Sequence, residues 1–157
     1  MRTIFALFDG YAEARVAVEE LRNQGFRVDA MNAIILADVG RGAMDVNASE
    51  ALGGRTLHGL DRMLATEHPV HLPPVGAVLA AGELANFIVA SAGSPDAEAG
   101  LVPALVDFGI PQDTAEAYQR GLIDGGLLFW IRAEDERASE VRGIVQQRHA
   151  SRVVAYP

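Results

Sequence analysis

Three histidines lie close together in the middle of the chain and are of the residue type that binds divalent metal ions. His58, His68 and His71 have acidic residues among them, and imidazole and carboxylate groups are common ligands of zinc and iron. Pro69 separates the two nearest histidines and prevents the regular helical turn that would direct both side chains the same way. A metal site at these histidines is one prediction, and a solvated connecting segment with incidental histidines is the alternative that we favour.

Paired carboxylates are the other group that would carry chemistry, as general acid and general base. One of the pair must lie in an apolar cleft for its pKa to rise. Glu83, in the middle of an apolar segment, is the only acidic residue that the sequence predicts to be buried. Its partner would be an arginine, or it would face water between subunits. The acidic residues within 113–116 and 134–136 begin predicted helices, where carboxylates oppose the helix dipole, so no catalytic pair is predicted.

The composition removes several further classes of chemistry. The 157 residues contain no Cys, which excludes disulfides, thiolate nucleophiles and Cys-ligated metals. They contain no Lys either, so all 13 basic residues are Arg and Schiff-base catalysis is excluded. Ser91 lacks the glycine that begins a hydrolase nucleophile elbow. With 21 acidic residues the net charge is −8, which opposes binding to nucleic acid. We therefore predict a non-enzymatic protein without a cofactor.

The two ends of the chain share a strand, helix, strand pattern. The predicted elements are a strand over 2–8, a helix over 11–24, a strand within 26–39, a strand over 127–132, a helix over 134–148 and a strand over 152–156. Two such β-α-β units combine into a ferredoxin-like sandwich of the α/β (α+β) class, with a four-stranded antiparallel sheet in which the first strands of the two units pair. We predict a single domain over 1–157, with the first unit at 1–37, a helical Gly- and Pro-rich insertion at 38–100, and connecting helices and the second unit at 101–157.

Local signals refine the boundaries of these elements. Asp9 is the expected N-cap of the first helix, and Gly25 its expected end. The further expectations are a turn at 40–42 with a returning strand at 43–46, partial helix over 48–68, a small-residue helix over 75–92, a short helix over 97–108 that ends at Gly109, and a following helix with Pro111 in its first turn.

One segment has the length of a membrane span. Residues 72–93 are apolar apart from Glu83 in the middle and Asn86 one turn later. A carboxylate at the centre of a bilayer costs about 3 kcal/mol, so membrane association through this segment is the less favoured alternative to a buried or interface-forming helix. The first residues reach Asp9 after a short apolar run and do not form a signal peptide. Together with the absence of Cys, this predicts a cytoplasmic protein.

A group of turn and helix motifs in the second half of the chain resembles a known family. The sequence Leu-Val-Pro-Ala-Leu-Val-Asp-Phe-Gly-Ile-Pro at 101–111 is followed by Ala115, Tyr118 and the Gly-Gly-Leu-Leu of 125–128. Together with Pro-Pro-Val-Gly-Ala-Val-Leu-Ala-Ala-Gly at 73–82, it resembles the bacterial general stress protein family, which includes heat-induced and low-temperature-induced stress proteins. The resemblance covers most of 72–156. No catalytic residues are known for that family, so it implies stress-associated binding or assembly without an active site.

The apolar pattern of the sheet predicts self-association. Apolar residues occupy both faces of the predicted central strands, so a second layer or a second subunit must cover the outer face. Small side chains let the helix over 75–92 approach another helix closely. Its interface candidates are Gly76, Ala77, Ala80, Ala81 and Glu83. We therefore expect a homodimer or higher homo-oligomer that acts through self-association or partner binding, and keep binding of a small molecule or metal by Glu83 or the histidines as the alternative.

Overall fold

The chain folds as a mixed α/β protein in which helices cover both faces of one antiparallel sheet. The structure, a computed structural model, describes residues 1–50, 59–93 and 100–156. Within these ranges the strands are β1 (Arg2–Phe8), β2 (Met31–Leu36), β3 (Val70–Leu72), β4 (Gly76–Ala81), β5 (Leu127–Ala133) and β6 (Ser151–Tyr156). The helices are α1 (Tyr11–Asn23), α2 (Ala37–Glu50), α3 (Gly59–Ala65), α4 (Glu83–Ala92), α5 (Leu101–Phe108), α6 (Gln112–Ile123) and α7 (Ala138–Gln147).

The sheet has the strand order β3-β4-β2-β5-β1-β6. The expected central pairing is confirmed, because β1 lies antiparallel to β5 with Ile4 opposite Ile131. The expectation of four strands is wrong, since β3 and β4 extend the sheet beyond β2. Both extra strands come from the segment that we predicted to be helical.

Helices from one chain cover both faces of the sheet. Alternate residues of β1 point to opposite faces, as the pleat requires: Ile4 packs in a core with α1, α2, α3 and α7, whereas Phe5 packs in a core with α4, α5 and α6. Phe5 and Trp130 are both fully buried and stack at a centroid distance of 5.0 Å. A second subunit is therefore not needed to cover the sheet, which removes the premise from which we expected a dimer.

The largest error of sequence interpretation is the small-residue helix over 75–92. Its first half is strand β4, and its second half is α4, with Gly82 between them at a φ of 104°. In β4, Leu79 and Ala81 face one core while Val78 and Ala80 face the other. A strand buried on both faces is apolar at every position, so its pattern does not differ from that of a buried helix.

The turn and returning strand expected after β2 are also wrong. Helix α2 begins at Ala37 and continues through Gly40 and Gly42. A Cβ at Gly40 would lie 3.0 Å from the Ile35 side chain and 3.2 Å from that of Leu79. The absence of a side chain at Gly40 therefore lets α2 approach the sheet closely.

Helix ends agree with the glycine signals better than with the acidic ones. Gly109 ends α5 in the left-handed conformation, as expected, and Gly25 follows α1 with a φ of 89°. The N-cap of α1 is Gly10 and not Asp9, and no side chain caps this helix. The helix expected over 134–148 begins only at Ala138, after a short 3-10 turn at Asp135–Arg137. The first residues of the helix expected over 97–108 lie outside the described residues.

A buried amide from the sheet caps α4. The N-cap position is Gly82, which has no side chain, and the Oδ1 atom of Asn32 accepts hydrogen bonds from the backbone N–H of Leu84 at 3.0 Å and of Ala85 at 3.1 Å. Asn32 lies on β2 and is 3% exposed. Any side chain at Gly82 would collide with Asn32, so the cap fixes the residue types at both positions.

Candidate functional site

The structure describes two of the three predicted metal ligands. His68 lies in the connection after α3, and His71 lies on the edge strand β3, and both are exposed. His58 lies outside the described residues. Among the residues that are described, no group of three His, Asp or Glu side chains is placed to hold a metal ion.

Glu83 does not occupy the buried position that we expected. It is the first residue of α4 and is exposed. Of the other interface candidates, Ala80 and Ala81 are at most 2% exposed within the single chain and present no surface to a partner. Gly76 is half-buried and Ala77 is exposed at the start of β4. No helix in the described ranges is both long and apolar enough to traverse a bilayer.

Among the described residues, the buried carboxylate is that of Asp61, on α3. Its Oδ1 accepts a hydrogen bond from the Tyr11 hydroxyl, and its Oδ2 accepts one from Nε of Arg15 at 3.0 Å. Burial, followed by the hydrogen bond to Asp61, raises the pKa of Tyr11 well above its ordinary value. Both carboxylate oxygens are therefore used to hold α3 against α1, which assigns this cluster a structural role.

A cavity of about 320 Å³ opens where β1 ends and β6 begins, and we call it the strand-end cavity. Its lining comes from the end of β1, from α6 and the turn after it, and from the start of β6. The lining residues are Leu7, Phe8, Asp9, Ala117, Arg120, Gly121, Asp124, Gly126, Ser151 and Arg152.

Two glycines bring the walls of the strand-end cavity together. A Cβ at Gly121 would lie 2.7 Å from Cδ1 of Leu7, and one at Gly126 would lie 2.7 Å from the Phe8 carbonyl oxygen. Neither position has room for a side chain, so α6 and the start of β5 pack directly against β1. The shape of the cavity depends on these two residues.

The backbone at the mouth of the cavity adopts an unusual conformation. Arg152 has a φ of 52°, in the left-handed region that non-glycine residues rarely adopt. The Tyr118 hydroxyl donates a hydrogen bond of 2.7 Å to the Arg152 carbonyl oxygen, and Ser151 Oγ lies 3.3 Å from the Leu7 carbonyl oxygen, to which it donates. Burial raises the pKa of Tyr118, so its hydroxyl stays protonated and remains a donor. Strained backbone held by such contacts is concentrated at functional sites.

The strand-end cavity carries two charges of each sign. Asp9, Asp124, Arg120 and Arg152 are all exposed. Within the described part of the chain none of the four forms an ion pair within 4.0 Å. Leu7 adds an apolar side chain to the lining. The lining includes no His, and the hydroxyl of Ser151 donates to the Leu7 carbonyl oxygen.

Sequence reasoning identified single residues of this cavity and missed the cavity as a whole. Asp9 directly follows β1, and Gly126 directly precedes β5, and the predicted pairing of these strands brings both to one edge of the sheet. Those two signals were available from the sequence. The left-handed conformation of Arg152 was not, because nothing in the residue types of 149–152 requires it.

Comparison of the chain with family models, with curated proteins and with solved structures finds no match. The resemblance to general stress proteins therefore depends on the motifs quoted from the sequence. The candidate site depends on geometry and charge.

Proposed function

We propose that this protein is a non-enzymatic binding protein whose strand-end cavity holds a small zwitterionic molecule. The observation that carries the proposal is a set of four charged side chains, two of each sign, around one cavity. None of the four has an ion-pair partner in the described residues. A ligand with one cationic and one anionic group satisfies both kinds of charge at once. Asp9 and Asp124 suit an ammonium group, and Arg120 and Arg152 suit a carboxylate, which guanidinium groups bind through paired hydrogen bonds.

The size and the apolar part of the lining indicate which class of ligand fits the cavity. A volume of about 320 Å³ lies at the small end of ligand pockets. The side chain of Leu7 offers apolar contact to a short side chain, whereas the Phe8 side chain packs in the core on the other face of the sheet. These features favour a free amino acid or a similar small zwitterion over a peptide or a nucleotide.

The first test is a thermal-shift screen of the twenty free amino acids at millimolar concentration. We expect at least one to raise the midpoint of unfolding, because a ligand that binds only the native state stabilises it. Arg120→Gln should abolish that rise. The matched control is Arg142→Gln, which makes the same charge change on an exposed position of α7 outside the cavity. A rise that survives in Arg120→Gln, or no rise with any amino acid, contradicts the proposal.

The proposed fold assignment is a ferredoxin-like core extended by two strands. It is supported by the order β2-β5-β1-β6 and by the packing of α1 and α7 in the same core. On this proposal the protein is a cytoplasmic member of the general stress protein family, as the motifs at 101–128 imply.

Self-association is a second candidate function, carried by Phe87. This residue lies on α4 and is 63% exposed, the most exposed large aromatic in the described residues. We expect light scattering at micromolar concentration to give a homodimer and Phe87→Glu to give a monomer. The control is Val16→Glu on α1, at an exposed apolar position on the opposite face of the sheet. A monomeric unmodified protein contradicts this candidate.

A further inference from the structure

A second cavity, which we call the arginine cavity, lies on the other side of the sheet from the strand-end cavity. It has a volume of about 520 Å³ and is bounded by the end of α1, the connection to β2 and the start of α3. Its lining residues are Arg22, Arg27, Val28, Asp29, Gly59 and Arg62. None of these residues lines the strand-end cavity.

The charge of the arginine cavity is opposite to that of the chain. Three arginines and one aspartate line it and the Glu19 carboxylate pairs with Arg22 beside it, which leaves one positive charge in excess, whereas the chain as a whole has a net charge of −8. The sequence contains no Lys, so arginines supply every basic side chain. A local excess of positive charge in a cavity attracts anions, and the negative surroundings disfavour a long polyanion such as nucleic acid. A small anion is the ligand that fits both facts.

Two of the three guanidinium groups form ion pairs with neighbouring carboxylates. Arg22 Nη1 contacts Glu19 Oε1 at 2.8 Å, and Arg27 donates to both oxygens of Asp29 at 3.2 Å and 2.9 Å. Gly59 permits the first of these pairs, because a Cβ there would collide with the Glu19 carboxylate. Each guanidinium has five N–H donors, so these contacts leave donors free on both residues.

Arg62 differs from the other two arginines. It is exposed on α3 and makes no hydrogen bond or ion pair with the side chains of the described ranges. Within the described residues, its donors are therefore available to a ligand without breaking a side-chain contact.

We propose that the arginine cavity binds the phosphate group of a small phosphorylated organic molecule. A phosphate offers several oxygens to guanidinium forks, which match its geometry and bind it by paired, charge-assisted hydrogen bonds. The cavity extends beyond the arginines to the side chain of Val28, which offers apolar contact to the organic part of the molecule. This inference is independent of the proposed function of the strand-end cavity.

Isothermal titration calorimetry at low ionic strength tests the proposal. The compounds titrated are inorganic pyrophosphate, adenosine diphosphate and citrate. We expect both phosphate compounds to bind, and adenosine diphosphate to bind at least as tightly because of Val28. Arg62→Gln should weaken both at least tenfold, which is about 1.4 kcal/mol, and Arg142→Gln should weaken them less than twofold. Since Arg62 is exposed and forms no hydrogen bond or ion pair with the described side chains, its replacement should leave the unfolding midpoint unchanged.

Each other outcome overturns the inference. Absence of pyrophosphate binding at millimolar concentration removes the anion site. Equal loss of affinity in Arg62→Gln and Arg142→Gln shows that binding follows net charge and not this cavity. If citrate binds more tightly than pyrophosphate, the cavity is a carboxylate site. If pyrophosphate binds and adenosine diphosphate does not, the cavity does not accept the organic part of a phosphorylated molecule. The thermal shift caused by an amino acid should persist in Arg62→Gln. This result shows that the strand-end cavity still binds its ligand even when the arginine cavity does not bind phosphate.

Discussion

Replacement of Asn32 by alanine should destabilise the protein strongly, because this one side chain caps a helix from inside the sheet. Its Oδ1 accepts two backbone hydrogen bonds, from Leu84 and Ala85, and Asn32 is 3% exposed. The N-cap residue Gly82 has no side chain that takes over. Alanine at position 32 therefore leaves two N–H groups of α4 without their acceptor.

The expected loss follows from these two bonds. Each hydrogen bond contributes about 1 kcal/mol, and a buried donor left without a partner costs about 1 kcal/mol more. Because Ala85 is buried and Leu84 is half-buried, the total should be about 3 kcal/mol. With a urea m-value of about 2 kcal/mol/M, the unfolding midpoint should fall by about 1.5 M.

The control for this measurement is Asn86→Ala in the same helix. Asn86 is exposed, and its Nδ2 donates to the Gly82 carbonyl oxygen at 2.9 Å. Its replacement leaves no buried group without a partner, so we expect a loss of about 0.5 kcal/mol. Urea unfolding followed by far-UV circular dichroism measures both variants. Losses of equal size in the two variants would refute the assignment of Asn32 as the cap of α4.

Three further predictions concern the buried acid, the buried tyrosines and a close-packed glycine. Asp61→Ala should lower the free energy of unfolding by about 3 kcal/mol because the buried Tyr11 hydroxyl loses its acceptor. Asp29→Ala, at an exposed ion pair, should lower it by about 0.5 kcal/mol. Equal losses in urea unfolding would contradict the role of Asp61. The folded-state pKa values of Tyr11 and Tyr118 both lie above the ordinary value of 10.0, so the folded state retains protons that the unfolded state loses. Stability should be constant up to about pH 10 and then fall with rising pH, by about 1.4 kcal/mol per pH unit for each tyrosine, and Tyr118→Phe should show a shallower fall; a slope unchanged by that substitution would count against the burial argument. Gly121→Ala should destabilise the folded protein by about 2 kcal/mol because the added Cβ overlaps Leu7. Gly143→Ala, in α7 with nothing within 4 Å of the added Cβ, should stabilise it by about 0.8 kcal/mol. Thermal unfolding that gives both changes the same sign would contradict the packing described for α6.

The parts of the fold that the sequence predicts are those with distinct local patterns. The strand over 2–8 is rich in β-branched and aromatic residues and ends at Asp9 and Gly10, the helix after it alternates apolar and polar residues with a clear period, and the glycines at 25 and 109 end helices as expected. The segment over 75–92 has no such contrast. Its first part, 75–81, contains only apolar residues and Gly because β4 is buried on both faces over 78–81, and only tertiary packing decides between strand and helix there.

The candidate site is less visible in the sequence than the fold. Burial of an acid depends on which helix packs over it. The apolar surroundings of Glu83 in the sequence therefore suggested the wrong residue, and Asp61 is the buried carboxylate of the described residues. Arg120 and Arg152 lie far apart in the chain and meet only because α6 packs across the sheet beside β6. Their convergence is a property of the tertiary structure.

The most direct test of the central claim is an NMR titration of the ¹⁵N-labelled protein with the amino acid that gives the largest thermal shift. We expect changes in amide chemical shift to concentrate at the residues of the strand-end cavity, above all at Gly121, Gly126 and Arg152. The amides of Val28 and Gly59, in the arginine cavity, serve as internal controls and should not move. Shifts spread evenly over the chain, or confined to residues outside the strand-end cavity, would contradict the claim that this cavity is the binding site.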